Sequence, residues 1–447
     1  MTRRADVRQP AATVRLSKLA SIQDATISLN RRQTSHCVNI IDRLSKDGIP
    51  LDGCDSDLIE ILEAMARSGS VELHAGHTCD KLILVPCRDD FKLRLDSISL
   101  ECTWQVSRFA YMHYSDGLLI ARSPLADCWL KISDHTVCDI LYTARVPSSL
   151  PACKPDDYVM HACRMLARAE IIVPCEYSGK PLEAHEEKCR QWDLHDLLFH
   201  SLSRLGRTTQ KMGGSYAFRG EIDPLPAAKK NPWAGSFYAL PRPDIVGLSR
   251  VDISLTAAIE TRRSIRQHSI VPLSLTQLGE FLFRTVRTRH IVPTAFGELL
   301  SRPYANGGGL YEQEFYVTID ACLDCPRGFY YYDGVNHGLC LISGPTADME
   351  LLLDEASASA AWMVRPQILI TIASRFHRIG WKYRGMAYAT QLKNVGAIYQ
   401  TMYLVATSMN VAGCALGIGN SDRFCRMTGE DYLMEGSVGE FMLGRPL

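Results

Sequence analysis

The sequence carries no excess of charge of either sign. Its 447 residues include 49 Lys and Arg and 49 Asp and Glu, so the formal net charge is zero. A chain without excess positive charge has no general electrostatic attraction to nucleic acid or to an anionic membrane surface. We therefore expect no nucleic acid and no membrane among its partners, while a local basic pocket stays compatible with this balance.

Long apolar runs and an export signal are also missing. No stretch of 18 apolar residues occurs, which argues against a membrane-spanning helix. The first 16 residues lack the apolar core of a secretory signal, so we expect a cytoplasmic protein with reduced thiols. The 16 cysteines are scattered, and no second ligand pair follows the CxxC from Cys322 to Cys325, so we expect no metal site.

The first half of the sequence contains an internal repeat. Residues 57–73 align without gaps with residues 157–173. Each copy reads as two strands, a helix, a second helix and a closing strand, which is the layout of a small winged helix. In the second copy we expect strands over residues 104–114 and 118–122 with a hairpin turn between them. The preceding flanks match one residue out of step: His36 with His135, Val38 with Val137, and Cys54 with Cys153.

The charge of the repeated helix indicates what the repeats bind. A winged helix suggests DNA binding, which requires a basic recognition helix. Residues 57–66 contain Asp57, Glu60 and Glu63 and no Lys or Arg. We therefore favour units that bind protein or peptide over units that read DNA.

The second half of the sequence changes to an α+β pattern. Ser274 and Gln277 have the spacing of a capping box before a helix over residues 278–288. The β-branched run over residues 367–373 predicts a central strand. Further helices are predicted at 192–205, 255–262 and 387–410, and further strands at 314–319, 329–332, 339–343 and 437–443, with Asp333-Gly334 turning between 329–332 and 339–343.

These patterns predict four regions. Residues 1–95 and 96–178 are two winged-helix-like repeats, and residues 179–250 are a helix followed by a linker rich in Pro and Gly. Residues 251–447 form one α+β domain.

A cluster of arginines follows the predicted helix over residues 255–262. Arg262, Arg263, Ser264 and Arg266 offer three guanidiniums and a hydroxyl within five residues. Arginine forks bind phosphate oxygens in a bidentate manner, so this cluster suits a phosphate monoester. A solvated basic turn is the alternative.

Two glycine-rich segments follow. Asn306, Gly307 and Gly308 lie in a loop where the backbone could approach a flat ligand closely, unless the loop is simply a flexible turn. The loop is neither a P-loop nor a dinucleotide-binding fingerprint. Gly417 and Gly419 follow the predicted long helix, which they could merely cap.

Lys382 and Tyr383 are the candidate acid–base pair. A Lys beside a Tyr suits proton transfer if each lowers the proton affinity of the other. An exposed Lys beside a packing Tyr is the alternative.

Together these segments resemble the flavin-dependent nitroreductase fold, and more narrowly the SagB-type azoline dehydrogenases of thiazole- and oxazole-modified peptide pathways. The resemblance is strong over residues 255–447 and extends upstream through 193–207. Asn306, where many members carry Ser, and the segment 384–386, where the family often has an acidic residue, depart from the family pattern. The matching segments are Arg302-Pro303, Gly307-Gly308, Leu310-Tyr311, 437–441 and the terminal Gly444-Arg445-Pro446.

The resemblance implies a nitroreductase-like domain, with a mixed sheet flanked by helices, that binds FMN at a homodimer interface. Lys382 and Tyr383 match the family's proton-transfer pair. The N-terminal repeats would hold the leader of a precursor peptide, and a cyclodehydratase would be a partner. The implied FMN-binding residues are Arg262, Arg263, Ser264, Arg266, Asn306, Gly307, Gly308, Gly417, Gly419 and Arg445.

The function expected from this resemblance is the FMN-dependent oxidation of thiazolines or oxazolines in a ribosomally made peptide. A nitro- or quinone-reducing flavoprotein is the second reading, although it has no need of repeated peptide-binding units. A non-catalytic scaffold that presents peptide to a cyclodehydratase is the third.

Overall fold

The structure is a computed structural model that divides the chain into two compact units, residues 1–211 and 212–447. The predicted linker over residues 179–250 is shared between the two units. The matched flanking residues His36, Val38 and Cys153 lie outside the described residues. The structure describes residues 12–16, 49–50, 54, 56–67, 71–75, 81–88, 90–93, 95, 98–150, 158–208, 212–229, 233–361 and 364–447.

The N-terminal unit combines two antiparallel sheets with helices. Its strands form a seven-stranded sheet in the order β2-β1-β3-β4-β8-β7-β6 and a three-stranded sheet in the order β10-β5-β9. The strands are β1 (Ala12–Leu16), β2 (Ile49–Pro50), β3 (Val71–Ala75), β4 (Leu82–Pro86), β5 (Thr103–Val106), β6 (Tyr111–Ser115), β7 (Leu118–Arg122), β8 (Cys128–Ile132), β9 (Ser148–Ser149) and β10 (Ile172–Pro174). The helices are α1 (Ser56–Arg67), α2 (His135–Thr143), α3 (Tyr158–Arg168), α4 (Glu187–Arg190) and α5 (Leu194–Leu202), with a 3₁₀ turn at Leu182–Ala184.

The two copies of the repeat share one sheet and one hydrophobic core. β4 of the first copy pairs with β8 of the second, with Leu84 opposite Leu130. Leu62 of α1 and Leu166 of α3 are fully buried in the same apolar cluster. Each copy retains a helix followed by a strand, α1–β3 and α3–β10, but β3 belongs to the larger sheet and β10 to the smaller one.

The single strand predicted over residues 104–114 is wrong. The structure breaks it into β5 and β6, which belong to different sheets. The break is a turn in which Ala110 N donates to Ser107 O. A buried carboxylate holds this turn, because Glu183 accepts from both Ser107 Oγ and Arg108 N, at 2.6 and 2.7 Å.

The helix predicted over residues 192–205 is shorter, because α5 spans only Leu194–Leu202. Asp193 precedes it in extended conformation, and Ser203 leaves helical geometry after it.

The C-terminal unit is α+β, as predicted. Its strands are β11 (Gly213–Gly214), β12 (Phe237–Ala239), β13 (His290–Thr294), β14 (Gly297–Ser301), β15 (Gln313–Ile319), β16 (Gly328–Asp333), β17 (Gly338–Ser343), β18 (Ile368–Arg375), β19 (Tyr383–Arg384), β20 (Ala412–Leu416) and β21 (Glu435–Gly444). Its helices are α6 (Ile245–Val251), α7 (Leu255–Thr261), α8 (Leu275–Val286), α9 (Ala347–Ser359), α10 (Phe376–Gly380), α11 (Ala387–Ser408) and α12 (Ser421–Thr428).

The main sheet of this unit is antiparallel, whereas a mixed sheet was predicted. Its order is β12-β17-β16-β15-β18-β21-β20, and every neighbouring pair runs antiparallel. β15, β16 and β17 follow one another as a meander, which imposes antiparallel pairing. β18 lies between β15 and β21, so the central strand predicted over residues 367–373 is confirmed.

Helices cover both faces of this sheet. On one face, α8 and α11 pack Phe281 and Ile398 against alternate residues of β15, such as Phe315 and Val317. On the other face, α9 packs Leu353 and its neighbours against β18, β20 and β21. The predicted capping box is present, since Ser274 Oγ accepts from Gln277 N and the Gln277 side chain accepts from Ser274 N.

Candidate active site

The arginine cluster directly follows α7 and is tied to α11 and β20. Ile265 N donates to Gly413 O, which holds this segment beside β20. Ser264 Oγ lies 2.9 Å from Tyr403 Oη, and that oxygen also accepts from Ala415 N. The Arg262 guanidinium lies 5.0 Å from the centre of the Tyr403 ring. Tyr403 of α11 therefore organises the cluster, while Arg263 and Arg266 are exposed.

The C-terminal arginine lies beside the same segment. Arg445 follows β21, its backbone O accepts from Ser269 N, and its N donates to Gln367 Oε1. The His268 ring packs so closely on Gly444 that a side chain at that position would overlap it. Burial lowers the pKa of His268 to about 4, so the ring is neutral at physiological pH. The structure thus brings Arg445 to the segment that carries Arg266.

The second glycine segment joins this group through β20. Gly417 and Gly419 lie between β20 and α12. They do not cap the long helix, because α11 ends at Ser408, is capped by Met409 and turns at Asn410, where φ is 52°. The alternative reading of this segment as a helix cap is therefore wrong.

A buried carboxyl lies against Gly419. The Glu440 carboxyl group occupies the space that a side chain at position 419 would fill. Glu440 is 4% exposed, and burial raises the pKa of its carboxyl to about 7, against a smaller lowering by a hydrogen bond from Ser437. A side chain at position 419 would therefore displace this buried carboxyl, and a titratable group lies directly behind the predicted cofactor loop.

The glycine-rich loop at Asn306–Gly308 is held by a network of buried amides. Asn306 Nδ2 donates to Glu312 Oε2 at 3.1 Å, and Asn394 Nδ2 donates to Glu312 Oε1 at 2.8 Å. Asn394 Oδ1 in turn accepts from Gly307 N at 2.9 Å. Glu312 is fully buried, so this carboxylate ties the loop to α11. The loop is therefore an anchored turn and not simply a flexible one.

Lys382 and Tyr383 meet this loop, although 74 residues separate Lys382 from Gly308. Lys382 Nζ donates to Gly308 O at 3.2 Å. Gly308 has φ of 72°, and a side chain there would overlap Tyr383 Oη and approach Lys382 Nζ to 2.9 Å. Glycine is required at position 308 both for its backbone conformation and for the closeness of this pair. The two residues predicted for proton transfer thus lie against the predicted flavin loop.

The predicted site residues form two groups along α11. Asn394 contacts the loop group, and Tyr403 contacts the arginine group. Nine residues of helix separate these contacts, which is about 14 Å along the axis at 1.5 Å per residue. Within residues 212–229, 233–361 and 364–447, no hydrogen bond or ion pair joins the two groups directly.

Sequence reasoning missed several residues that organise the site. Asn394 is a buried polar residue on a largely apolar helix, and such a residue signals a specific partner. Glu312 and Glu440 carry no comparable signal, because nothing local shows that their carboxyls are buried. Tyr403 belongs to the apolar pattern of α11 and is indistinguishable from a packing residue in the sequence.

Two negative findings apply to the described residues. Within those ranges, no helix has the length and apolar character needed to cross a bilayer. The same residues contain no group of three or more His, Cys, Asp or Glu side chains placed to hold a metal ion.

Residues 259–445 match the family model described as "Nitroreductase family". The C-terminal unit therefore contains a nitroreductase domain with a nitroreductase-like α+β fold. A match to this family indicates a flavin-dependent oxidoreductase. All ten of the predicted cofactor-binding residues and the Lys382–Tyr383 pair lie inside the matched part of this nitroreductase domain.

A second family model matches upstream of the nitroreductase domain. Residues 104–209 match the model described as "Cyanobactin oxidase ThcOx". This match covers the second predicted repeat from β5 onward and continues through α5.

Three individual proteins that resemble this chain share between 17% and 25% of their aligned residues with it. The chain is 25% identical over 169 residues to MJ1384 of Methanocaldococcus jannaschii, a protein provisionally described as a nitroreductase, which covers 37% of this chain and 79% of the relative. A solved structure of a protein of Ralstonia eutropha JMP134 with the same provisional description is 20% identical, with a TM-score of 0.38, and covers 51% of this chain and 95% of that one. The Escherichia coli microcin synthetase McbBCD complex with truncated pro-MccB17 contains a chain that is 17% identical, with a TM-score of 0.35, and covers 53% of this chain and 88% of that one.

Proposed function

We propose that this protein is an FMN-dependent dehydrogenase that oxidises thiazolines or oxazolines of a ribosomally made peptide to thiazoles or oxazoles. The observation that carries the proposal is the position of Lys382 and Tyr383 against the Gly307-Gly308 loop of a nitroreductase domain. The match of residues 104–209 to a cyanobactin oxidase model supports an oxidation in peptide maturation.

The residues of the domain fit FMN. The exposed guanidiniums of Arg263, Arg266 and Arg445 lie on backbone segments that are bonded to the same corner of the sheet, and they would hold the phosphate with Ser264 and Arg262. Bound FMN would supply the redox chemistry by accepting a hydrogen and its electron pair from the substrate ring. The remaining predicted contacts with the cofactor are Asn306, Gly307, Gly308, Gly417 and Gly419.

Lys382 and Tyr383 would handle the proton. Conversion of an azoline to an azole removes two hydrogens: one leaves the α-carbon as a proton, and the other leaves the neighbouring ring carbon with its bonding electrons. Lys382 as a neutral amine, or Tyr383 as a phenolate, would accept the α-proton. Lys382 Nζ lies 5.3 Å from the centre of the Tyr383 ring, so both groups lie at the same place beside the Gly307-Gly308 loop.

Exposed apolar side chains around the predicted cofactor-binding residues support a homodimer. Leu255 and Ile259 of α7, directly before the arginine cluster, are 66% and 49% exposed. Ile418, between the two glycines of its segment, is 76% exposed, and Leu392 near the loop group is 39% exposed. Exposed apolar side chains concentrated around one site mark an interaction surface. A second copy of the nitroreductase domain would cover them and close the cofactor site.

The N-terminal unit would hold the precursor peptide. β6 is at one edge of the seven-stranded sheet, and its Met112 and Tyr114 are 46% and 77% exposed. The unpaired backbone of an edge strand can bond an extended peptide, and neighbouring exposed side chains can select it. A cyclodehydratase that makes the azoline rings is the expected enzyme partner.

The first experiment tests cofactor and chemistry together. Purified protein should be yellow, and denaturation should release FMN. A model peptide that carries one thiazoline should lose two hydrogens by mass, with the appearance of thiazole absorbance. A colourless protein after flavin reconstitution would contradict the cofactor assignment. A yellow protein that reduces quinones and leaves the thiazoline intact would favour a reductase instead.

The second experiment tests the peptide site. Met112→Glu with Tyr114→Glu should weaken binding of the precursor peptide to the full chain and leave the FMN spectrum unchanged. Tyr142→Glu is the matched control, since Tyr142 is 68% exposed on α2 of the same unit. Equal peptide affinity in all three proteins would move the peptide site away from β6.

A further inference from the structure

The nitroreductase domain contains a cavity of about 160 Å³ next to Lys382. Tyr216, Phe296, Trp381 and Leu299 form its walls together with the stem of Lys382. These residues come from the segment before β12, the β13–β14 hairpin, the segment after α10 and β14, so only the folded domain assembles the cavity. The cavity does not coincide with the residues assigned to the cofactor.

The aromatic side chains that line the cavity pack against one another. The ring centres of Tyr216 and Phe296 are 4.8 Å apart, and the Trp381 ring meets Tyr216 edge-on at 5.6 Å. Trp381 Nε1 donates to Ile222 O at 2.7 Å, so the indole is fixed and its donor is used. An apolar cavity of roughly 150 Å³ accommodates one benzene-sized ring in a known case. The volume and the walls therefore suit one flat ring.

Three charged side chains, those of Glu298, Arg378 and Lys382, line the cavity. Arg378 uses its guanidinium on three backbone carbonyls, those of Leu310, Leu225 and Glu298. The Glu298 carboxylate accepts from Ala227 N at 2.9 Å. Among the described residues, Lys382 Nζ donates one hydrogen bond, to Gly308 O, and an ammonium has three N–H groups to offer. A ring in the cavity would therefore meet mainly aromatic and aliphatic walls, with Lys382 Nζ as the cation of the lining that has further N–H groups to donate.

We propose that this cavity is the ring site of the substrate, where Tyr216, Phe296 and Trp381 enclose one five-membered heterocycle of the peptide and its polar edge faces Lys382 Nζ. This inference rests on the proposed function and adds the residues that select the ring. The peptide chain on either side of the ring remains outside, because the volume holds a single ring. The three aromatic residues are thus specificity-determining residues.

The test uses 4-methylthiazole as the probe and the full chain without added flavin, so that its readout is independent of turnover. Ligand-observed NMR should detect binding to the wild-type protein. Phe296→Ala and Tyr216→Leu should each weaken it by about 3- to 10-fold, the range expected for loss of one aromatic contact. Leu299→Phe, which places a further ring inside the cavity, should abolish it.

The matched controls lie just outside the cavity. Phe218→Ala removes an aromatic side chain two residues after Tyr216, and Ile291→Ala removes an exposed apolar side chain from the hairpin that carries Phe296. Both controls should bind the probe as the wild type does. Equal loss in controls and cavity variants, or no loss in Leu299→Phe, would overturn the inference.

Measurements of turnover distinguish a failure of the ring site from a failure of the proposed function. With a thiazoline peptide, Phe296→Ala should raise KM by about 3- to 10-fold with little change in kcat, because the contact binds the ring throughout the reaction. Probe binding without any thiazoline oxidation would contradict the proposed function and leave the ring site standing. Thiazoline oxidation with unaltered KM in every cavity variant would overturn the ring site alone.

Discussion

In the part of the chain that the structure describes, both units contain buried carboxylates with and without a partner cation, and the carboxylates without one support different features in the two units. In the N-terminal unit, Glu63 pairs with Lys92 at 2.8 Å and Glu72 pairs with Lys131 at 2.5 Å. In the nitroreductase domain, Glu312 and Glu440 are just as buried. Neither forms an ion pair within residues 212–229, 233–361 and 364–447.

The comparison shows where each unit places a buried carboxyl group that has no partner cation within the described ranges. A buried carboxyl without a cation is unfavourable unless hydrogen bonds or protonation compensate it. Glu312 is compensated by amide donors that hold the glycine-rich loop, and Glu440 by a raised pKa against Gly419. In the N-terminal unit the buried carboxylate that has hydrogen bonds but no ion pair among the described residues, Glu183, holds the turn between β5 and β6, whereas Glu312 and Glu440 lie directly behind the predicted cofactor loops.

The largest loss of activity is expected from substitution of Lys382 or Tyr383. These are the proposed proton-transfer residues of the nitroreductase domain, and the N-terminal unit has no proposed counterpart to them. Lys382→Ala and Tyr383→Phe should each reduce azole formation by about 100- to 10,000-fold, the usual contribution of a general base. The flavin spectrum should be retained. The proposed mechanism has the two residues act as one unit, so the double variant should be little worse than the worse single one.

The measurement for this pair is single-turnover reduction of the bound flavin by a thiazoline peptide. Arg384→Ala, at an exposed neighbouring position, is the control and should retain the wild-type rate. Near wild-type rates in both single variants would assign the base to another residue or to a bound water.

The unpaired Glu440 should make stability depend on pH. Its pKa is about 7 in the folded chain and about 4.5 for an ordinary glutamate in an unfolded chain, so the folded state binds the proton more tightly. This stabilisation is fully present below about pH 4.5 and is lost as the pH rises through 7. At 1.36 kcal/mol for each pKa unit, the loss is roughly 3 kcal/mol.

Glu440→Gln, which is always neutral, should lack this loss. The loss is measured as the difference in the free energy of unfolding in guanidinium between pH 5 and pH 8. The contributions of the other titrating groups to this difference are the same in the variant and the wild type. Glu63→Gln is the control from the N-terminal unit, since it removes an ion pair and should lower stability at both pH values. Identical pH dependence in Glu440→Gln and the wild type would show that Glu440 is ionised throughout.

A smaller change, in FMN affinity, is expected when the amide network around Glu312 is disrupted. Asn394→Leu removes the acceptor of Gly307 N and one donor to the buried Glu312 carboxylate. Buried groups that lose their partners cost about 1–3 kcal/mol, so FMN affinity should fall by roughly 10-fold or more. Quenching of FMN fluorescence on titration measures the change. Gln400→Leu, at an exposed position of α11, should leave affinity unaltered.

The smallest effect is expected at the helix cap of α8. Ser274→Ala removes the side-chain acceptor for Gln277 N and should cost about 1 kcal/mol of stability. FMN affinity and turnover should be unchanged, because the cap is a local feature of the helix. Thermal unfolding measures the loss, and Ser274→Asp should restore the stability. A loss of FMN in Ser274→Ala would connect this cap to the cofactor site.

The features predicted correctly from the sequence are mostly local. The capping box at Ser274 needs residues three positions apart, and the pairing of β16 with β17 needs a turn between two adjacent apolar runs. The apolar run over residues 367–373 signals burial on both faces wherever it lies in the sheet. The predictions that failed concern pairing between distant parts of the chain, such as the separation of β5 from β6 and the antiparallel order of the main sheet.

The sequence by itself determined which residue types were available for the candidate site: an arginine cluster, two glycine segments and the Lys382–Tyr383 pair. Only the tertiary structure decided that Lys382 bonds to Gly308, that Glu312 anchors Asn394 across 82 residues, and that Glu440 lies under Gly419. The physical reason is that local hydrogen bonds and periodicity are encoded within a few residues, whereas burial and charge pairing depend on which distant segments the folded core brings together.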